Sequence, residues 1–335
     1  MDSLRFFKNL LSREDAADCV LCTIIAEEGS VPRKSGTQMA VFPDGSFLGT
    51  VGGGAVEHMA GQYAKSLCTR QDAYTEVRHY GLDGQQRENI TGMICGGALS
   101  ILFQKMDRRS LEHLSPLKTL RAGTQSLYLL MPLPDGAAGA ASEPLILCGE
   151  EELPDGVRLQ RKKQPVLQGQ LFVAPVALRG MVYLFGAGHV GRALFGILRS
   201  TGFPVVVVDD RPAMLEDPSF DDAERKICMP YHAFPEALPI SADDYLVVCT
   251  SGHGGDVDVL LQMLPHQPLY AGCIGSKKKA AAVAQKLLEA GLDEALVARI
   301  HSPIGLKIKA KTPEEIAVSI AAEMILCRAE ATEAE

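Results

Sequence analysis

The sequence predicts an α/β protein, with an N-terminal α+β domain and a C-terminal Rossmann-like domain on a parallel sheet. Three observations carry this. An apolar run, Met181 to Phe185, feeds directly into Gly186-x-Gly188-x-x-Gly191. A helical pattern follows that Gly202 can end, and a second apolar run, Val205 to Val208, stops at Asp209. The first half of the chain instead reads as a helix, a tight hairpin and another helix among short strands. The expected divisions are 1–110 for the first domain, 111–179 for a β-rich connector and 180–330 for the Rossmann-like domain.

The composition bounds the function. At 335 residues the chain can bury two cores. Apolar residues make up 47% and charged residues 22%, as in a soluble globular protein. A net charge of −8 leaves no basic excess to neutralise phosphates, which argues against nucleic-acid binding. Met1-Asp2-Ser3-Leu4-Arg5 lacks the apolar stretch of a secretory signal. No apolar run reaches the roughly 18 residues of a membrane span, so none is expected. Nine cysteines without disulfide-like spacing point to a reducing cytoplasm.

Taken in order, Leu4, Phe7, Leu10 and Leu11 are spaced to form one face of a short helix within residues 1–15. Cys19 to Ala26 is a β-rich apolar run. Its Cys19-x-x-Cys22 has no second Cys or His pair nearby to complete a metal site, so both are read as small core residues. Gly29 to Gly36 is a turn-rich loop carrying Arg33 and Lys34. Gln38 to Phe42 and Phe47 to Val51 form a hairpin through Pro43-Asp44-Gly45-Ser46. Gly52-Gly53-Gly54 then opens a helix to about Leu67. Three glycines at a helix start present several N–H groups to one anion, and Arg33 can add a planar cationic fork. After a strand at Ala73 to Val77 comes Ile94-Cys95-Gly96-Gly97, a thiol on a backbone whose next residues add no bulk. Backbone N–H groups there can favour the thiolate, which marks Cys95 as the functional cysteine.

Ser126 to Met131, Leu145 to Cys148 and Gln170 to Ala174 are strand candidates, and Pro134 to Ser142 is a small-residue loop. In the Rossmann-like unit Gly186 allows the tight turn, Gly188 lets a ligand phosphate approach the backbone, and Gly191 lets helix and strand pack closely. The helix N-terminus favours an anion, and Asp209, about 20 residues on, can accept from ribose hydroxyls. Two further strands, Tyr245 to Thr250 and Leu269 to Ser276, end in loops where ligands of such sheets bind. His253, Asp256, Ser276 and Lys277 are therefore candidates, although Lys277, Lys278 and Lys279 also suit a solvated helix start. Thr312-Pro313-Glu314-Glu315 is a helix start, with the helix running to about Arg328 and the acidic tail frayed.

Gly29 to Gly36, Gly49 to Glu57 and Ile94 to Gly97 resemble the N-terminal signatures of the XdhC/CoxI family. Gly186 to Gly191, Tyr270 to Lys277, Ser302 to Leu306 and Thr312 to Glu323 resemble its Rossmann domain, in the same order. The resemblance implies a maturation factor for molybdenum hydroxylases such as xanthine dehydrogenase. It would bind the molybdenum cofactor, keep it while a cysteine desulfurase installs the terminal sulfido ligand, and deliver it to the apo-enzyme. Through these motifs Glu57, Gly96 and His189 join the cofactor-binding set, with Cys95 a ligand for molybdenum or the transferred sulfur. A homodimer, the commonest oligomer, is expected. Read from the glycine fingerprint alone, the competing functions are an NAD(P)-dependent oxidoreductase and a nucleotide sensor. No Tyr-Lys or His-Asp constellation accompanies His253 to serve hydride transfer.

Overall fold

The computed structural model describes residues 2–70, 72–81, 97–134, 144–155, 157, 164–232 and 238–334. The turn holding Cys95 and Gly96 and nearly all of the loop expected at Pro134 to Ser142 lie outside them. The chain divides into two units, one of Met1–Leu120 with Gln125–Leu178, the other of Arg121–Thr124 with Arg179–Glu335. Residues 125–178, expected as a connector, thus group with the first unit.

The first unit opens with α1 (Ser3–Leu11), capped where Arg5 N donates to the Asp2 carboxylate at 2.9 Å. It buries Leu4, Phe6, Phe7, Leu10 and Leu11. Next come β1 (Val20–Glu28), β2 (Gln38–Val41), β3 (Phe47–Gly49), α2 (Gly54–Cys68), β4 (Thr75–Gly81) and β5 (Ala98–Lys105). The five strands form an antiparallel sheet in the order β3-β2-β1-β5-β4. Central β1 is buried over its first six residues, which is why it reads as a continuous apolar run. Val20, Cys22, Ile24, Met39 and Val41 face α2, whose Val56, Ala60 and Ala64 are small enough for helix and sheet to meet closely. Cys19 and Cys22 are fully buried, as core residues should be. Burial pushes the Cys19 thiol up to about 12 and the Cys22 thiol well above its usual range.

After α3 (Arg108–Leu114), β6 (Leu127–Pro132), β7 (Ile146–Gly149), β8 (Val166–Gln168) and β9 (Leu171–Ala177) form a second antiparallel sheet, ordered β7-β6-β9-β8. Strand β8, short and largely exposed, has no apolar alternation to announce it.

The second unit contains β10 (Val182–Phe185), α4 (His189–Ser200), β11 (Val205–Asp209), α5 (Pro212–Leu215), β12 (Arg225–Cys228), β13 (Tyr245–Val248), α6 (His253–Met263), β14 (Tyr270–Cys273), α7 (Lys277–Glu289), α8 (Glu294–Ala298) and α9 (Pro313–Ala334). Its strands are all parallel, in the order β12-β11-β10-β13-β14. That is the Rossmann order, with its switch point between β10 and β13. Both sheet faces are covered. Val182, Leu184, Val205, Val207 and Val247 pack with Leu194, Leu198, Ile320 and Met324, while Phe185, Val208, Leu246 and Val248 pack with Val259, Leu260, Val283 and Leu287.

Helix α9 starts on a capping box: Glu315 N donates to Thr312 Oγ1, and Thr312 N donates to the Glu315 carboxylate, both at 3.2 Å. It runs to Ala334, past the expected end near Arg328, because its Ala- and Glu-rich tail has strong helix propensity. No helix among the described residues is long and apolar enough to cross a membrane.

The glycine turn after β10 is tightly fixed. Gly186 has φ +109°, and a Cβ there would lie 2.2 Å from Cys249 O; a Cβ on Gly191 would lie 2.0 Å from Gly186 O. Gly188 has no atom within 4 Å of where its Cβ would be. Gly191→Ala should therefore lower stability by about 3 kcal/mol. Gly188→Ala should cost no more than about 1 kcal/mol, the difference between Gly and Ala as an N-cap. Denaturant unfolding of the two variants measures the contrast.

Candidate functional site

In the first unit the hairpin returns through β3 into Thr50 and the glycine turn. Gly52, Gly53 and Gly54 take φ values of +136°, +69° and +61°, a run that only glycine adopts without strain. Arg33 lies against this turn, since a Cβ on Gly52 would sit 2.8 Å from Pro32 Cγ and 3.8 Å from Arg33 Cγ. The loop carrying Arg33 is pinned from within: Ser35 N donates to the Glu27 carboxylate at 2.6 Å and Gly36 N to Ile24 O at 2.8 Å. Arg33 itself is exposed and has no ion pair or hydrogen bond among the described residues. Beside it is a cleft of about 310 Å³, lined by Phe6, Arg33, Gln38, Thr50 and Pro165 among others.

The turn differs from its expected form in one respect. Its donors are already met by Glu57, one turn into α2. The Glu57 carboxylate accepts from Val51 N at 3.2 Å, from Gly53 N at 3.1 Å and from the Thr50 hydroxyl. Gly52 N donates to Thr50 Oγ1 at 3.1 Å. A helix N-terminus attracts a carboxylate, and here the chain supplies its own. The structure thus brings Arg33, Gly52, Gly53 and Glu57 together, with Gly54 opening the helix behind them. It also shows Thr50 and Gln38 at the same place, neither of which stood out in the sequence. Gln38 Nε2 and Thr23 Oγ1 are buried without a hydrogen-bond partner among the described residues, at a cost of about 1–3 kcal/mol each.

Cys95 and Gly96 lie outside the described residues. Gly97 packs against the loop of Arg33, for a Cβ there would lie 2.5 Å from Glu28 O and 2.6 Å from Ser30 O. Among the described residues no group of three His, Cys, Asp or Glu could hold a metal. Burial also pushes the Cys148 thiol up to about 11 and that of Cys273 up to about 12.

In the second unit Gly186, Gly188 and Gly191 form the expected turn, and His189 is exposed at the start of α4. Asp209 is placed differently from the ribose acceptor expected of it. It is fully buried, and its carboxylate accepts from Ala187 N at 2.7 Å, Arg211 N at 3.0 Å, Arg211 Nε at 2.8 Å and Arg211 Nη2 at 2.9 Å. These fill its four acceptor positions. Arg211, two residues beyond the strand, does not stand out in the sequence.

At the ends of β13 and β14, Asp256 is buried, hydrogen-bonded by the Thr250 hydroxyl at 2.6 Å and ion-paired with Lys279. Ser276 caps α7, accepting from Lys279 N at 3.2 Å, and Lys277 is exposed at the first position of that helix. The lysines thus divide: Lys279 turns inward to Asp256 and Lys277 stays in solvent. His253 opens α6, and its side chain lies outside the described residues.

Two perturbations test these contacts. Glu57→Ala should cost about 1–2 kcal/mol of stability. It should also make inorganic phosphate raise the unfolding temperature more than in the wild type, because the internal carboxylate no longer competes. For Asp209, burial pushes the carboxyl up, but the hydrogen bonds from Arg211 and the backbone outweigh it and hold it below the usual range. Its stabilisation is therefore complete above the unfolded value of about pH 4 and is lost as pH falls through the lower folded value. Asp209→Asn should lose about 2 kcal/mol at neutral pH, a deficit that narrows in acid, as denaturation at the two pH values would show.

Comparison with known proteins gives two family matches. A model described as XdhC Rossmann domain matches residues 182–324, and one described as XdhC and CoxI family matches residues 12–81. The chain is 26% identical over 307 residues to the uncharacterized protein YqeB of Escherichia coli, covering 91% of this chain but only 42% of that protein's length. It is 27% identical over 331 residues to a Bacillus subtilis protein named as a probable subunit of xanthine dehydrogenase, covering 94% of each chain. It is 24% identical over 322 residues to the molybdenum cofactor insertion chaperone PaoD of E. coli, covering 92% of this chain and 83% of that one. A crystal structure described as a xanthine dehydrogenase from Bacillus halodurans superposes with a TM-score of 0.80 at 26% identity, covering 98% of this chain and 96% of that one.

Proposed function

The chain belongs to the XdhC and CoxI family, and on that premise we propose that it is a maturation factor that binds the molybdenum cofactor and inserts it into a xanthine-dehydrogenase-type molybdenum hydroxylase. The observation that carries this reading is Arg33, an exposed guanidinium without a partner among the described residues, set against a glycine turn and a cleft. The likeness to PaoD, named as an insertion chaperone, supports the same role.

The residues present suit such a cargo. Molybdopterin ends in a phosphate, and Arg33 offers it a planar fork. The N–H groups of Val51 and Gly53 are a second set of donors, available once Glu57 withdraws. A thiolate at Cys95 would suit the metal or an incoming sulfur, since soft ligands match such centres. When bound, the cofactor brings the molybdenum centre at which the client enzyme does its chemistry. The work of this chain is to hold it, shield it and release it. In this reading the protein acts in the cytoplasm, keeps its cargo during sulfuration by a cysteine desulfurase, and meets the apo-hydroxylase as a homodimer. The second unit gives the dinucleotide reading little support, because NAD(P) ribose hydroxyls would have to displace Arg211 from Asp209.

Protein co-produced with cofactor synthesis should yield fluorescent oxidised pterin and molybdenum on purification. Arg33→Ala should carry roughly tenfold less of both, corresponding to the loss of one charge-assisted contact. Cys95→Ala should fold, carry less molybdenum and leave a co-expressed client inactive. Wild-type protein that repeatedly carries neither pterin nor metal would sink the proposal.

A further inference from the structure

Helix α9 carries apolar side chains on two sides. Ala317, Ile320, Ala321 and Met324 face inward and pack with Leu194 and Leu198 of α4. On the outer side Val318, Leu326 and Ile325 are large apolar residues left 50%, 46% and 38% exposed. Single exposed apolar residues are ordinary, but these are not scattered. Val318, Ala322, Ile325 and Ala329 follow one another at steps of four, three and four residues, so they line one narrow seam along the helix. That is the spacing with which one helix packs along another, and a helix apolar on both sides is covered on both.

The seam is complementary to a copy of itself. Its middle residue is Ala322, small enough for two helix axes to approach closely, and Ala329 repeats the small side chain one heptad on. If two α9 helices run antiparallel about a two-fold axis at Ala322, Val318 of one falls beside the other's Ile325 and Leu326. Charge matches in the same register. Lys311 just precedes the helix and Glu330 lies near its end, both exposed. Antiparallel pairing sets each Lys311 beside the partner's Glu330. Parallel pairing would set lysine against lysine and glutamate against glutamate, which repel.

We propose that the outer seam of α9, from Val318 to Ala329, is an interface that pairs antiparallel with the α9 of a second copy of this chain. This names the surface of the homodimer in the functional reading above and rests on that part of it alone. The contact is two-fold and self-complementary, so each seam interaction is made twice and the assembly closes at two copies.

Sedimentation of the full-length protein tests this, with the wild type expected to be a dimer at micromolar concentration. Ile325→Glu replaces an exposed side chain, so it should keep the wild-type circular dichroism. In the dimer it buries an unpaired charge, and it should weaken association roughly tenfold or more. Lys311→Glu should weaken it roughly threefold. Adding Glu330→Lys to that variant should restore the wild-type constant, a rescue that a folding defect cannot imitate. Ala322→Cys, at the two-fold axis, should give a disulfide-linked dimer under copper-catalysed air oxidation that the wild type does not give. The swap pair and the cysteine link decide the matter even if Ile325→Glu does not fold. A monomeric wild type overturns this inference and the homodimer together. A wild-type dimer that folded Ile325→Glu leaves intact, that the charge swap does not rescue, or that Ala322→Cys does not link overturns this surface alone. Cofactor insertion is judged separately, by the pterin and molybdenum that the purified protein carries.

Discussion

The second unit depends on how closely α4 approaches β10. The gap between Gly191 and the Gly186 carbonyl leaves no room for a methyl group, and Gly186 itself lies against the backbone of Cys249. Two neighbouring strands and a helix thus meet at one turn with only backbone between them. Asp209 completes the arrangement from β11 by accepting from Ala187 N. This explains its burial: the carboxylate holds the turn in shape, and Arg211 compensates its charge. The open space at Gly188 is what this packing leaves free.

The two units solve the same local problem in opposite ways. Each places a helix N-terminus behind a glycine-rich turn. In the first, Glu57 folds back and supplies the anion from its own helix. In the second, the turn is braced from below by Asp209, and no side chain caps α4. The first unit gains stability from its internal carboxylate, and any ligand phosphate has to compete with it. Arg33 stands beside this turn, exposed and without a partner among the described residues, whereas the Glu57 carboxylate is tethered to the helix it caps.

Much of this was legible in the sequence because it is local. The fingerprint glycines, the hairpin and the capping box of α9 each follow from residues within one or two turns of each other. The parallel strands were visible because both faces are buried, so their apolar runs are unbroken. Strands β8 and β12 were not, since edge strands carry little apolar pattern; β12 reads Arg-Lys-Ile-Cys. The inward turn of Lys279 to Asp256 joins two helices and could not be told from a solvated start. Asp209 looked free because nothing in its spacing shows that Arg211 turns back on it. Gln38 was hidden for another reason: a polar residue in an alternating strand reads as solvent-facing, and its burial follows from the elements that cover the sheet.

The buried thiols carry a consequence for sulfur chemistry. A thiol attacks or accepts sulfur only as its thiolate. Burial keeps Cys19, Cys22, Cys148, Cys249 and Cys273 protonated at neutral pH. With these five protonated, none is a ready nucleophile or metal ligand, and the fold keeps most of its sulfur unreactive simply by placing it in the core.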